Sequence, residues 1–336
     1  MTLRSPLATT PRSAHGATKR GGPLVQETAL SGHCHRRALL GRRTGKDLHR
    51  RRGRAAGRAI YAAQRSRPPA ARGNGRSGNR HSGALARRAD TAAAVTRRVN
   101  DRLHKVIAGN PARLAAFAAL PTAVPEAAAD ELERTAALGF KGAMLHGLAN
   151  GVFLDDPRFW PIYARAEKLD LPIYMHPSLP QADVMRIYYQ DYAKDFPMIT
   201  RATWGYTVET ATLAIRLVLS GVFEKYPKLK IILGHLGETL PFLVWRIDTT
   251  LKRPGGKAAN FRDIFCNNFY VTTSGNFSNP ALLCCVMEMG IDRILFAVDW
   301  PFVPNPPGTK WMESVPLCDE DKAKILSGNA KRLLKM

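Results

Sequence analysis

The chain is poor in cysteine and has no long hydrophobic run. Its five cysteines are Cys34, Cys266, Cys284, Cys285 and Cys318. Their number is odd and none of them form a C-x-x-C pair, so neither a disulfide framework nor a zinc knuckle is indicated. No apolar run approaches the roughly 18 residues that a membrane span requires. We therefore expect a cytoplasmic protein, kept in a reducing compartment and without a membrane segment.

Carboxylates are scarce in one part of the chain only. Residues 1–90 contain 21 Lys and Arg against 3 Asp and Glu, which is +18 of the formal net charge of +23. The same residues are rich in Arg, Ala, Gly, Pro and Ser and show no sustained apolar period. Such a segment cannot bury enough apolar surface to offset the entropy that ordering costs. We predict that residues 1–89 are a disordered Arg-rich segment and that residues 90–336 form a globular domain.

The globular part alternates short apolar runs with helical patterns. A helix is predicted from residue 91, with Asp90 as its N-cap and Gly109-Asn110-Pro111 as its stop signal. Further helical patterns cover residues 125–139 and 207–227. Six apolar runs predict strands within residues 114–121, 140–147, 171–177, 230–237, 268–275 and 293–301. Strands that are apolar on both faces and alternate with helices are typical of a parallel α/β fold.

Polar side chains occur where these apolar runs end. The residues concerned are His146, His176, His235, Thr273 and Asp299. In an open parallel sheet the carboxyl ends of the strands form the ligand crevice. In a (β/α)8 barrel they form the catalytic face, where side chains from several strands converge. The runs are therefore predicted to be core, with a functional site at their carboxyl ends.

Three of these residues have the chemistry of metal ligands. Imidazole and carboxylate groups, as in His176, His235 and Asp299, bind zinc and similar divalent ions, which polarise a bound oxygen or lower the pKa of bound water. Glu238 follows His235 by three residues and could fix its tautomer. The structural alternatives are hydrogen-bonded histidines, an aspartate that caps a turn and a first-turn glutamate favoured by the helix dipole.

Five stretches of the chain, taken together, resemble one known family. They are residues 154–180, 203–248, 269–280, 293–302 and 327–336. Residues 90–336 resemble the metal-dependent amidohydrolase superfamily, in the branch of γ-resorcylate, 5-carboxyvanillate and aminocarboxymuconate-semialdehyde decarboxylases. The resemblance implies a (β/α)8 TIM-type barrel with one divalent metal ion, zinc first and manganese or magnesium as alternatives. It also implies a carbon–carbon lyase that acts on a small aromatic or unsaturated carboxylic acid, and a homodimer or homotetramer.

The same resemblance suggests a role for individual residues. His176 and Asp299 resemble metal ligands, and Asp299 would also handle the proton. His235 resembles the catalytic histidine beside the metal, supported by Glu238. Arg246, in the motif WRID, resembles an arginine that meets the substrate carboxylate.

Aromatic residues could line the entrance to such a site. Trp204, Tyr206, Trp300 and Phe302 suggest a pocket for a flat ring, and Trp300 is the one assigned to substrate binding. The alternative is that these side chains are core at the top of the barrel.

The N-terminal segment departs from the family pattern. The family's first strand carries E-x-H or H-x-H, whose side chains bind the metal, but residues 1–90 contain no E-x-H, and their one H-x-H, His33-Cys34-His35, follows no apolar run. We therefore expect the first two barrel strands to be missing or disordered and the activity of this chain to be impaired. Out-of-frame translation of GC-rich DNA gives this composition, and GRRTGKDL (41–48) can be encoded so that another frame gives D-V-G-P-E-K-I. A transit peptide or an Arg-rich nucleic-acid tail are the alternatives.

Two other functions remain open at this point. Within the superfamily, the rival is a metal-dependent hydrolase of a lactone or an amide. In another class, the rival is a nucleic-acid-binding protein that uses residues 1–90, although a segment with this charge binds nucleic acid non-specifically in any case. Release of carbon dioxide, ring opening and salt-dependent DNA binding would distinguish the three.

Overall fold

The computed structural model describes residues 59–62, 81–252, 255 and 259–336. Within them, the strands form one parallel sheet of seven strands and a separate antiparallel pair. In chain order the strands are β1 Ala59–Ala62, β2 Leu114–Ala119, β3 Ala143–His146, β4 Leu148–Ala149, β5 Val152–Phe153, β6 Ile173–His176, β7 Ile231–Leu233, β8 Phe269–Thr272 and β9 Ile294–Leu295. The large sheet has the order β1-β2-β3-β6-β7-β8-β9, and β4 pairs with β5.

Helices follow the strands of the large sheet. They are α1 His81–Ala108, α2 Pro125–Ala137, α3 Trp160–Lys168, α4 Ala182–Val184, α5 Gln190–Ala193, α6 Gly205–Leu219, α7 Val222–Lys225, α8 Leu240–Thr250, α9 Phe261–Asn268, α10 Asn279–Met289, α11 Asn305–Ser314, α12 Asp319–Ala323 and α13 Asn329–Leu334. Short 3₁₀ turns cover Pro157–Phe159, Pro197–Thr200 and Ile291–Arg293, and π turns cover Met185–Tyr189 and Lys324–Gly328. None of the helices in the described ranges is long and apolar enough to span a bilayer.

All six strands predicted from the apolar runs are present, and the curled parallel sheet with its helices is a TIM-type barrel architecture. A seventh strand, β1, was not predicted, because four residues are too few to show a period within an Arg-rich stretch. It pairs in parallel with β2, from Ala59 opposite Leu114 to Ala62 opposite Phe117. The division of the chain at residues 89 and 90 stays a prediction.

Two helix boundaries differ from those predicted. Helix α1 begins at His81 rather than after Asp90, since the Ala, Leu and Arg residues before Asp90 are good helix formers and one aspartate does not outweigh them. The pattern over residues 207–227 forms two helices, α6 and α7. The break falls at Gly221, whose φ of 84° cannot continue a right-handed helix.

The two faces of the sheet belong to two apolar clusters. Residues such as Leu145, Ile173 and Leu233 face the helices in the main core. On the other face, each of six strands contributes one side chain to an inner cluster that Leu333 and Leu334 of α13 complete. A barrel interior filled by one layer of side chains from successive strands is typical of this fold. The inner residues from the strands are Phe117, Met144, Tyr174, Ile232, Tyr270 and Leu295.

The inner face becomes polar towards the carboxyl ends of the strands. Because side chains alternate along a strand, the positions two residues beyond the inner cluster share its face. These positions include His146, His176 and Thr272, and His146 lies directly opposite His176 in the sheet register. The barrel therefore has an apolar lower layer and a polar upper layer.

Buried asparagines tie helices to the strands. Asn268 donates two amide hydrogen bonds to backbone carbonyls just before β7, at 2.9 and 2.8 Å. Asn329 does the same around the start of β9, at 2.8 Å for both bonds. Asn100 of α1, with no exposed surface, bonds both backbone groups of Ala119 at the end of β2. Each amide satisfies backbone groups that would otherwise be buried without partners.

Candidate active site

His235 and Glu238 form a buried hydrogen-bonded pair just after β7. The Nδ1–H of His235 donates to Oε1 of Glu238, whose side chain is only 1% exposed. Burial acts against the charged imidazole, but the hydrogen bond and the charge of Glu238, aided by the charge of Asp299, outweigh it and raise the pKa of His235. The carboxylate thus fixes the tautomer and favours the protonated ring. The three-residue spacing suggested the contact between the two side chains, and their catalytic role stays a prediction.

The pair lies in a left-handed segment of backbone. Five consecutive residues, His235–Thr239, have positive φ values of 49°, 57°, 80°, 53° and 70°. Only Gly237 among them adopts this region at no cost, since each other residue loses roughly 1–2 kcal/mol relative to the right-handed region. Strand β7 ends at Leu233 and the next helix begins only at Leu240. The left-handed segment between them brings the side chains of His235 and Glu238 together. Strained backbone of this kind often occurs at functional sites.

Asp299 follows β9 in a second left-handed position. Its φ is 69°, and its carbonyl oxygen accepts hydrogen bonds from the backbone N–H groups of Phe302 and Val303 at 2.9 and 3.1 Å. Burial raises the pKa of the Asp299 carboxyl, the charge of His235 opposes this, and the charge of Glu238 adds to it. Asp299 therefore lies within the electrostatic reach of the His235–Glu238 pair.

His176 ends β6 with one ring nitrogen engaged. Its Nδ1–H donates to the carbonyl oxygen of Pro177 at 2.7 Å, which leaves the lone pair on Nε2. Burial and the charge of His235 lower the pKa of His176, against the Pro177 bond and the charge of Glu238. A neutral imidazole with a free Nε2 is the form that binds metal ions.

A second histidine ring lies against His176. The ring centroids of His146 and His176 are 4.6 Å apart, with an angle of 57° between the planes. The sequence placed His146 at a strand end without giving it a role. The position of His146 could have indicated this contact, because His146 and His176 occupy the same place on neighbouring parallel strands.

Three hydroxyl groups form a cluster beneath the charged residues, and they were not predicted. The hydroxyl of Tyr174 bonds Oγ1 of Thr272 at 2.9 Å and Oγ of Ser274 at 3.1 Å, and Thr272 and Ser274 also bond each other. Burial raises the pKa of Tyr174, with contributions from the charges of Asp299 and Glu238, although the two hydrogen bonds oppose it. Tyr174 precedes His176 by two residues, so period-two alternation could have placed it on the same face.

The two residues predicted to bind substrate lie near the surface. Trp300 is 63% exposed and directly follows Asp299. Arg246 is exposed on α8, eight residues after Glu238. The substrate-binding roles of both residues stay predictions.

Two side-chain donors in the site suit a divalent metal ion. Nε2 of His176 carries a lone pair, and Asp299 offers carboxylate oxygens. In the described part of the chain, no group of three or more His, Cys, Asp and Glu side chains is arranged to hold a metal. Catalytic zinc sites use three protein ligands, so His176 and Asp299 have the chemistry of metal ligands but do not complete a site by themselves.

Comparisons with known proteins agree with this geometry. The sequence profile of the family described as Amidohydrolase matches residues 32–336. The γ-resorcylate decarboxylase of Rhizobium sp. (strain MTP-10005) is 41% identical over 254 residues, which cover 72% of this chain and 76% of that protein.

Solved structures agree as well. The structure of 2,6-dihydroxybenzoate decarboxylase complexed with 2,6-dihydroxybenzoate is similar with a TM-score of 0.68 and 39% identity, over 74% of this chain and 78% of that one. A dihydroxybenzoic acid decarboxylase from Polaromonas sp. JS666, with bound manganese and the inhibitor 2-nitroresorcinol, has a TM-score of 0.68 and 42% identity, over 74% of this chain and 76% of that one. The profile match extends over most of the chain, and these relatives are similar along more than two thirds of it. The chain therefore belongs to the amidohydrolase family.

Proposed function

We propose that this protein is a metal-dependent decarboxylase of a small aromatic carboxylic acid of the dihydroxybenzoate type. The observation that carries the proposal is the joint placement of His235, Glu238 and Asp299, whose charges act on one another at the carboxyl ends of β7 and β9. The similar proteins named γ-resorcylate decarboxylase and 2,6-dihydroxybenzoate decarboxylase support the same reaction.

His176 and Asp299 are the residues that would hold the metal. A divalent ion, when bound, supplies positive charge for the hydroxyl and carboxylate oxygens of the substrate. The neutral ring of His176 is held in a fixed orientation by the Pro177 carbonyl. Manganese is the first ion to test, because the Polaromonas structure contains it. Zinc, the first expectation from the sequence, is the second.

The reaction needs a proton at the ring carbon that bears the carboxylate. Asp299, which lies within the electrostatic reach of His235, is the group that would give this proton to the ring carbon. The bond to the carboxylate then breaks, its electron pair restores the aromatic ring, and carbon dioxide leaves. His235, with its protonated form favoured by Glu238, places positive charge beside the reacting group and stabilises the transition state.

A direct assay tests the proposal. The chain, supplied with Mn²⁺ and 2,6-dihydroxybenzoate, should release carbon dioxide and the decarboxylated ring in equal amounts, at a slow rate because the E-x-H pair is not present. Asp299→Asn should lower the rate about 10²–10⁴-fold, the usual contribution of a positioned general acid. Ring opening of a lactone or cleavage of an amide without release of carbon dioxide would favour the hydrolase instead.

We also propose a state of assembly and a cellular location for the protein. A homodimer or homotetramer is supported by apolar side chains exposed on α8, namely Phe242 at 81% and Trp245 at 69%, since exposed apolar patches often mark interfaces. The few cysteines of the sequence support a cytoplasmic location. Sedimentation of the purified chain, with Trp245→Glu as the variant, would test the assembly.

A further inference from the structure

Two backbone carbonyl groups of the left-handed segment accept hydrogen bonds from side chains outside the segment. The segment His235–Thr239 carries the His235–Glu238 pair, and its backbone occupies a region that four of its five residues adopt at a cost. Such a backbone persists only where its surroundings over-determine it. Three hydrogen bonds join the first two residues of this segment, His235 and Leu236, to β8 and to the residues that follow it.

One bond comes from the strand itself. The backbone N–H of Leu236 donates to the carbonyl oxygen of Thr272 at 2.7 Å. This bond extends the pairing of β7 and β8 beyond the last paired residues, Leu233 and Val271. It fixes the position of the Leu236 peptide but leaves the two neighbouring carbonyl groups to other partners.

The other two bonds come from side chains. Nδ2 of Asn276, in the loop after β8, donates to the carbonyl oxygen of His235 at 3.3 Å. Sγ of Cys285, on α10, donates to the carbonyl oxygen of Leu236 at 3.4 Å. Two successive carbonyls of the strained segment thus each accept a hydrogen bond from a different side chain. Both side chains lie in the loop and helix that follow β8.

Cys285 is suited to act as a donor. Its side chain is 1% exposed, and burial raises the pKa of its thiol to about 12. The group therefore stays an S–H donor throughout the working pH range, and it is a poor nucleophile because the thiolate is the reactive form. Its neighbour on the same helix, Cys284, is partly exposed and provides a matched control.

We propose that Asn276 and Cys285 are positioning residues, which hold the left-handed backbone of His235–Thr239 so that His235 stays bonded to Glu238. Their catalytic importance rests on the proposed decarboxylase function, but their effect on the His235–Glu238 bond does not. A displacement of about 1 Å at a catalytic group can cost about 100-fold in rate, so loss of either donor should lower kcat about tenfold or more with little change in KM.

The test uses a signal that does not need activity. In the full chain labelled with ¹⁵N-histidine, the Nδ1 proton of His235 should appear as a downfield, slowly exchanging resonance, assigned by its loss in Glu238→Ala. Cys285→Val, which keeps the size of the side chain but removes the donor, should broaden or shift this resonance upfield. Cys285→Ser, which keeps a donor, should restore it at least in part, and Cys284→Val should leave it unchanged.

Asn276 is tested in the same way. Asn276→Ala should weaken the resonance. If this variant gives no cooperative melt, Asn276→Asp, whose side chain has nearly the native size, is measured in its place. An unchanged resonance in both Cys285→Val and the folded Asn276 variant would overturn the proposal. Equal losses in Cys285→Val, Cys285→Ser and Cys284→Val would also overturn it, because they would indicate general loosening of α10. If the resonance responds as expected but no substrate is decarboxylated, the proposed function fails and the positioning role stands.

Discussion

The ionisable residues of the site share one electrostatic field, and their protonation states follow from it. Glu238 is nearly fully buried and acts on His176, His235 and Asp299 together. It favours the protonated form of all three, but burial dominates at His176 and keeps that ring neutral more readily. A histidine with a lowered pKa, a histidine with a raised pKa and a carboxyl with a raised pKa therefore occur side by side. Groups whose pKa values are shifted apart in this way are typical of acid–base sites.

The bond between His235 and Glu238 should make stability depend on pH. Because the pKa of His235 is raised in the folded protein, its contribution is fully present below the unfolded value of 6.5 and is lost as pH rises through the folded value. In Glu238→Gln burial is no longer outweighed, so this contribution disappears. We expect the wild type to exceed the variant by about 1–3 kcal/mol in the free energy of unfolding near pH 6, and by clearly less near pH 9.

Urea unfolding of both proteins between pH 5.5 and 9 measures this difference. The glutamine side chain of the variant has nearly the size of the native glutamate, so a large packing effect is not expected. A difference between the two proteins that stays constant over the whole pH range would show that the charge of Glu238 does not act through His235.

The two neighbouring histidines should differ in metal binding. His176 has a fixed tautomer with its Nε2 lone pair available, whereas the resemblance assigns no ligand role to His146. We expect His176→Ala to weaken Mn²⁺ binding by at least about 100-fold, beyond the effect of losing a group that only orients a ligand. His146→Ala should weaken it less than about tenfold. Titration of each purified chain with Mn²⁺, followed by electron paramagnetic resonance, gives the comparison, and equal losses in both variants would make His146 a ligand as well.

The element that determines the site is the turn between β7 and α8. Gly237 lies at its centre with φ of 80°, and a Cβ there would approach Pro241 to 2.9 Å and Val271 to 3.0 Å. Gly221, between α6 and α7, has a similar φ of 84° but meets only the end of Glu224, at 3.8 Å. The two glycines therefore differ in available space and not in backbone region.

Alanine at these two positions separates backbone strain from crowding. Gly221→Ala should cost about 1–2 kcal/mol of stability, the penalty of the left-handed region alone. Gly237→Ala should cost about 2–5 kcal/mol, since overpacking adds about 1–3 kcal/mol, and it should also disturb the Nδ1 resonance of His235. Thermal and urea unfolding give the stabilities. Equal costs at the two positions would mean that the turn relaxes and that its geometry is not tightly specified.

Strands were easier to predict than the turns after them. The runs before His176 and His235 are apolar on both faces, and this pattern has few other interpretations. The helix boundary at Asp90 was wrong because local capping preferences are weak against a long stretch of helix formers. The roles of Asn276 and Cys285 could not be predicted, because a hydrogen bond between residues about 40 to 50 positions apart depends on the folded backbone and leaves no local pattern.

At the scale of the whole molecule, the distribution of charge divides the sequence into two regions of different composition, but it says little about their structure. Residues 1–90 lack the apolar periods on which strand prediction rests, yet β1 at Ala59–Ala62 pairs with β2. The family profile match also begins at residue 32. The boundary at residues 89 and 90, and the origin of the Arg-rich sequence in a changed reading frame, remain predictions that the coding DNA, read in all three frames, would test.

The metal content of the chain should depend on its N-terminal segment. The described residues offer two donors, His176 and Asp299, and a site with fewer than three protein ligands should not retain its ion. We expect the purified chain to lose Mn²⁺ and Zn²⁺ on dialysis and to show little decarboxylase activity. A chimera, in which residues 1–90 are replaced by the corresponding segment of the Rhizobium γ-resorcylate decarboxylase, should retain about one ion per chain and release carbon dioxide from 2,6-dihydroxybenzoate. His176→Ala in the chimera should abolish both. If the unaltered chain keeps one equivalent of metal through dialysis, residues outside the described donor set complete the site, and the N-terminal segment is functional as it stands.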